Sequence, residues 1–335
     1  MINVLLQSIN QPFVRHTIVA FALAVQQTRD SPVPLSVYRN VQSVIPHLQH
    51  AINERNLNNA HLISVTFLAW LALTICDFQT ARCHLRGFIS MLQATHHISM
   101  YANPTRYKPS TIAMYLFCIA VKADNYIACR DLNSKMTIPP IRVNETYHRK
   151  WIQYITSSEL LLQYSLANIQ LDGLANNICH LQRQAKNLRL SLSNAQPEIS
   201  RRVASIKAEH QRWLSRPYIQ HHLLANDQRY NVLESLEQPA TVRFLDYSRY
   251  TIFDPLVALM HMTHAHLAIQ MNFILAGSIN REDNESYNAA ILICRICAAL
   301  KELLGRNEDR MLYRCITSLL FAGLVFTNSR YSDGT

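Results

Sequence analysis

The residues best able to do chemistry in this chain are a cysteine pair, Cys294-x-x-Cys297, and a histidine trio, His261, His264 and His266. A C-x-x-C pair supplies half the thiolates of a structural zinc site, or both sulfurs of a redox couple. Tetrahedral zinc needs four ligands, however, and no second pair stands nearby. His261 and His264 share a helical face in a Met-rich segment, without the H-E-x-x-H order that joins two metal ligands to a general base. Both groups therefore read as core or surface residues rather than as a site. The chain has no G-x-S-x-G elbow, no G-x-x-x-x-G-K-[ST] loop and no G-x-G-x-x-G turn. Neither an activated serine nor a phosphate cradle is expected, and the chain reads as a non-enzyme.

A second group could act through charge. Arg183, Lys186, Arg189, Arg201, Arg202, Lys207, Arg212 and Arg216 are opposed across their segment only by Glu198 and Glu209. Such a row is either a solvated helix face or a surface that docks an acidic protein or DNA phosphates. The second use is salt-sensitive and carries no base-sequence information. The formal charge of the 335-residue chain is +10, which favours acidic partners.

The elements that must carry these residues are helical. Only 6 glycines are present, where about 7% is usual, and both tight β-turns and phosphate loops depend on glycine. A 49% hydrophobic content supports a sizeable core. Ile112, Tyr115, Leu116, Ile119, Ala123, Tyr126 and Ile127 mark one buried helical stripe, ended by Pro139-Pro140. Leu174, Ile178, Leu181, Ala185, Leu188 and Leu192 alternate steps of four and three. After a break at Pro197 the pattern resumes at Ile199, Val203, Ile206, His210 and Trp213, giving two short heptad-like helices. Asp254-Pro255 reads as a helix start, with Leu256, Leu259, Met260, Thr263, Leu267 and Ile274 on one face. The weakest seam lies at 130–145, so one helical domain over 1–335 is expected, with 1–140 and 141–335 as its subdivision.

The cysteines at 76, 83, 118, 129, 179, 294, 297 and 315 fall mostly in apolar helical stretches. They read as reduced thiols in an intracellular compartment. The uncharged segment from Asn56 to Cys76 offers only about fifteen apolar positions, short of the roughly 20 that a membrane span needs. Residues 17–25 lack the small-residue cleavage site of a secretion signal. No membrane association is expected.

One stretch goes further. An apolar run from Leu62 to Cys76 stops at Asp77, a helix cap, and Ala81, His84, Leu85, Phe88, Met91 and Leu92 then recur with helical spacing, which is a helical hairpin. Its Ala81-Arg82-Cys83-His84-Leu85-Arg86-Gly87 resembles the "A-x-x-H-L-x-G" helix of the regulatory region C-terminal to the zinc cluster in fungal Zn2Cys6 transcription factors. Phe13-Val14-Arg15-His16 with Ala20 to Val25 is similar to that family's entry helix, and Tyr38-Arg39 with Ala51-Ile52 to its second. Near the C-terminus, Ile293-Cys294-Arg295, Leu320 to Phe326 with Gly323, and Ser329-Arg330-Tyr331 resemble its closing helices. The resemblance covers about 12–130 and 244–331. It departs from the pattern at the glycine usually found after the helix of Asp124 and Ala128.

The resemblance implies an all-α fold, an irregular array of packed helical hairpins, and a regulatory domain acting in the nucleus on RNA polymerase II genes. It also implies other transcription factors or co-regulators as partners, a homodimer, and DNA reached only indirectly or non-specifically. The family's six-cysteine cluster is absent from these residues: Cys76 and Cys83 have one of its spacings without an adjacent C-x-x-C, and they are expected in the core. No cofactor is therefore expected here, and zinc enters only where a cluster is attached upstream. Arg15, His16, Asp77, Ala81, His84, Leu85, Gly87, Cys294, Arg295, Gly323, Arg330 and Tyr331 are assigned structural roles. The alternatives are a stand-alone helical co-regulator or scaffold without direct DNA binding, and a helical lipid or sterol carrier.

Overall fold

A computed structural model describes residues 8–26, 32–94, 111–130, 135–140, 148–149, 152–153, 159–189, 196–216, 219, 255–276, 284–304, 315 and 318–326. The fold is all-α, with no strand among the described residues. The long helices are α1 (Pro12–Val25), α2 (Leu35–Asn53), α3 (Asn59–Thr74), α4 (Phe78–Ala94), α5 (Thr111–Arg130), α6 (Glu159–Arg189), α7 (Gln196–Leu214), α8 (Pro255–Ala276) and α9 (Asn284–Leu304), and residues 318–326 are helical as well. They fall into two compact units, 1–158 and 159–335.

In the first unit α3 is the central helix, packed by α1, α4 and α5. Twelve of its 16 residues are buried, because apolar side chains circle it completely. Asn58 starts it: its Oδ1 accepts from the amides of Ala60 (2.9 Å) and His61 (3.4 Å), while the Asn58 amide donates to His61 Nδ1 (3.2 Å). This reciprocal cap satisfies amides that have no partner within the helix. The His61 ring then stacks on Phe13 of α1 at 5.1 Å, and His47 of α2 stacks on the same Phe13 at 5.5 Å. Burial, with His47 nearby, pushes the His61 pKa down, which suits its role as an acceptor at Nδ1.

Two helix ends show how the chain turns with so little glycine. After α2, Arg55 adopts φ 53°, and after α3, Cys76 adopts φ 62°. In each case the next two amides fold back onto the helix: Arg55 N to Ile52 O (3.2 Å) and Asn56 N to Ala51 O (3.0 Å), then Cys76 N to Leu73 O (3.1 Å) and Asp77 N to Ala72 O (2.8 Å). These are Schellman closures, usually made by glycine because a Cβ is strained in the left-handed region.

The stripe expected along α5 is observed at Ile112, Leu116, Ala123 and Ile127, but Tyr115 is exposed. Met114, Phe117, Ala120 and Val121 are buried as well, so α5 is covered on more than one side. Residues 112–129 are long and apolar enough to cross a membrane, and 67% of that window is buried within the fold, as expected of a core helix. Beyond α5, the buried Asp124 carboxylate accepts from the amides of Thr137 (3.0 Å) and Ile138 (2.8 Å). That clamp holds the non-helical residues 135–140 to α5 and buries Ile138 in the first core. The boundary at 158 therefore falls later than the 130–145 seam read from the prolines.

In the second unit the heptad pattern is carried by helices longer than it required: α6 has 31 residues and begins well before Leu174. Helix α7 begins at Gln196, with Pro197 in its first turn, where a missing amide hydrogen costs nothing. Helix α8 is central. Its Met260, Leu267, Met271 and Ile274 join Leu171, Leu174, Ile178, Val203 and Trp213 in one core, while Ala258, Met262, Ala265 and Ile269 pack with Ala290, Ile293 and Ile296 of α9 in another. Its start at Pro255 matches the sequence reading, whereas Asp254 lies outside the described residues.

Candidate functional site

The basic segment is built on α6 and α7, which pack together. Ile199, Val203, Ile206, His210 and Trp213 form the buried side of α7, as their spacing predicts. The opposite side is left to water, and Arg201, Arg202 and Arg212 are exposed on it. Arg202 is braced there, 3.4 Å from Glu198 Oε1 and donating to Gln184 Oε1 of α6 at 2.6 Å. Arg212 lies along its own helix and donates to the Ala208 carbonyl (3.4 Å). Arg183 donates to the Cys179 carbonyl (2.9 Å) and, like Arg216, is half-buried, while Lys186 is exposed. Arg189 ends α6, and its side chain lies outside the described residues.

Lys207 departs from the reading of the segment as a row of outward cations. Its Nζ donates to Asn272 Oδ1 of α8 (2.8 Å) and to Glu285 Oε2 of α9 (3.3 Å). Asn272 Nδ2 donates in turn to the same carboxylate oxygen (3.2 Å) and to Ser286 Oγ (3.2 Å). Lys207 therefore ties three helices together, because its position on α7 brings it to α8 and α9, although 34% of its side chain stays exposed.

The histidines form a buried stack that spacing only partly indicates. His210 of α7 and His264 of α8 lie face to face, ring centroids 3.3 Å apart. Each ring bonds the other residue's backbone: His210 Nε2 to the His264 carbonyl at 2.9 Å, and His264 Nε2 to the His210 carbonyl at 3.3 Å. Trp213 stacks on His264 (4.9 Å), meets His261 edge-on (5.5 Å) and donates from Nε1 to the Ala167 carbonyl (2.8 Å). Burial pushes all three histidines toward the neutral form: His261 to about 4, His264 well below its usual value, and His210 downward. His266 points to the other core and stacks on Phe321 at 4.6 Å. The histidines thus divide between two cores, and no group able to hold a metal ion occurs among the described residues.

The cysteines divide as well. Cys297 and Cys315 are buried and Cys294 is half-buried. Cys297 Sγ lies 3.4 Å from Met262 Sδ, and contact with Cys315 together with burial pushes its thiol pKa up, as burial also does for Cys294. High pKa values leave little thiolate, the form that attacks or binds metal. Cys76 and Cys83, expected in the core, are both exposed. Cys76 occupies the left-handed turn, and Cys83 stands on the side of α4 away from Ala81 and Leu85.

The motif residues occupy defined positions. Arg15 and His16 are exposed on α1, with His16 Nδ1 2.8 Å from Asn40 Oδ1 of α2. Asp77 caps α4, accepting the Thr80 amide (3.0 Å), and that bond holds its carboxyl below the usual range. Ala81 and Leu85 are fully buried. His84 is half-buried, and burial lowers its pKa against the opposing pull of Asp77. A Cβ at Gly87 or Gly323 would meet nothing within 4 Å, so close packing does not require either glycine. Arg295 is buried. Arg330 and Tyr331 lie outside the described residues. The clamp by Asp124 escaped the sequence reading, for which a lone acid in an apolar stripe was the available signal.

No family model, curated protein or solved structure matches the chain. The resemblance stated above therefore stands on the quoted residues alone.

Proposed function

We propose that this chain is a helical regulatory module of the kind that follows the zinc cluster in fungal Zn2Cys6 transcription factors. It acts in the nucleus on RNA polymerase II genes and reaches DNA through a partner protein or an attached cluster. The observation that carries this reading is the α3–α4 hairpin. Two of its motif residues, Ala81 and Leu85, are buried at the seam of the hairpin that Asp77 caps. On this reading Arg201, Arg202 and Arg212 meet an acidic surface of another transcription factor or co-regulator, while Lys207 serves the fold.

The test uses the full chain fused to an unrelated DNA-binding domain above a reporter gene in a fungal cell. Altered transcription with a nuclear signal is expected. The Arg201→Gln/Arg202→Gln/Arg212→Gln variant should lose the effect, and Lys207→Ala, checked by circular dichroism for folding, should keep it. Exclusion from the nucleus, or a reporter indifferent to the fusion, would refute the reading.

A further inference from the structure

One side of α4 brings two arginines, an amide, a thiol and an aromatic ring to one cleft. Gln79, Arg82, Cys83 and Arg86 recur at i, i+3, i+4 and i+7, opposite the buried Ala81, Leu85, Phe88 and Leu92. Together with Phe78 they line a cleft of about 430 Å³, within the range of small-molecule sites. Phe78 is half-buried and sits against Tyr126 of α5, ring centroids 6.4 Å apart. The cleft thus has an aromatic wall and an amide-bearing side chain as well as two guanidinium groups.

The unit that contains this cleft carries the larger share of the chain's net charge. Residues 1–158 hold 14 Lys and Arg against 6 Asp and Glu, whereas residues 159–335 hold 18 against 16. Most of the net positive charge, +8 of +10, therefore belongs to the unit that contains α4. Like charges one turn apart, as at Arg82 and Arg86, repel and weaken a helix. Arginine presents a planar fork matched to carboxylate or phosphate oxygens, and an aromatic wall accommodates an apolar body.

We infer that the α4 cleft binds a small organic oxyanion, a carboxylate or a phosphate monoester with an apolar or aromatic body, with Arg82 and Arg86 on the anion and Phe78 beside the body. This stands independently of the transcriptional reading, since it needs only the geometry and charge of α4.

Cys83 is an exposed thiol in the cleft, and Cys76, also exposed, is not among its lining residues. The purified full chain is treated with iodoacetamide, an uncharged reagent, at constant ionic strength, with benzoate, phenyl phosphate or chloride, and both thiols are followed by peptide mass spectrometry. For a Kd of about 1 mM, probe at about 10 mM should slow Cys83 labelling roughly tenfold, with Cys76 unaffected. Protection by benzoate alone identifies a carboxylate site, and by phenyl phosphate alone a phosphate site. Arg86→Gln, on an exposed position that leaves the fold intact, should abolish protection, while Arg86→Lys should keep only part of it. An unchanged Cys83 to Cys76 labelling ratio with both probes would overturn the inference, as would equal protection by chloride or in Arg86→Gln.

Discussion

Acidification should destabilise the second unit, and the histidine stack sets the window. His261 is held neutral down to about pH 4 by burial, whereas an unfolded histidine titrates near its usual value of 6.5. The folded pKa is depressed, so the unfolded chain binds protons that the folded chain refuses. Stability from this group is complete above about pH 6.5 and is lost as pH falls toward the folded value. Across that interval of about 2.5 units, at 1.36 kcal/mol per unit, the loss is about 3 kcal/mol for His261. His264 and His210 shift in the same direction. Both therefore add to the loss with the same sign as pH falls. Two imidazolium rings at the observed 3.3 Å separation would also repel across the stack. Asp77 has a lowered carboxyl, so its contribution falls away only below its usual 3.8 and outside this window. The assay is urea unfolding at a series of pH values, followed by fluorescence in a Trp70→Phe/Trp151→Phe background that leaves Trp213 as the reporter. His261→Gln should flatten the curve between pH 6.5 and 4 by about 1.4 kcal/mol per unit. Parallel curves for the two proteins would show that His261 is not held neutral by its surroundings, and the argument from burial would fail.

Two further perturbations test the first unit. Asp124→Ala removes a charged acceptor from the Thr137 and Ile138 amides and should cost about 3 kcal/mol, read as a lower urea midpoint and fast hydrogen exchange at those two amides. Unchanged exchange would mean that the clamp does not hold the segment. Arg55→Gly and Gly87→Ala are opposite exchanges that should each stabilise the unit by about 1 kcal/mol in urea unfolding, the first by relieving the left-handed turn and the second by improving an unobstructed helix interior. Destabilisation by Gly87→Ala would reveal a contact at that position that the backbone geometry does not show.

Sequence alone determined that the chain is helical and which side chains fill most of its helices. Scarce glycine excluded glycine-dependent turns, and steps of three and four predicted the buried side of α7 and the Asp77 hairpin, because helical periodicity is a local property of 3.6 residues per turn. Local spacing cannot report what packs against what. Helices α3 and α8 are apolar on every side, so only tertiary contacts decided that each is central, with α8 shared between two cores. The same limit explains Lys207, a cation in a basic row until α8 and α9 bring Asn272 and Glu285 to it. It explains the His210–His264 stack, whose members are 54 residues apart, and the exposure of Cys76 and Cys83. In each case the partner comes from a distant part of the chain or from solvent, and its placement follows from how the helices pack.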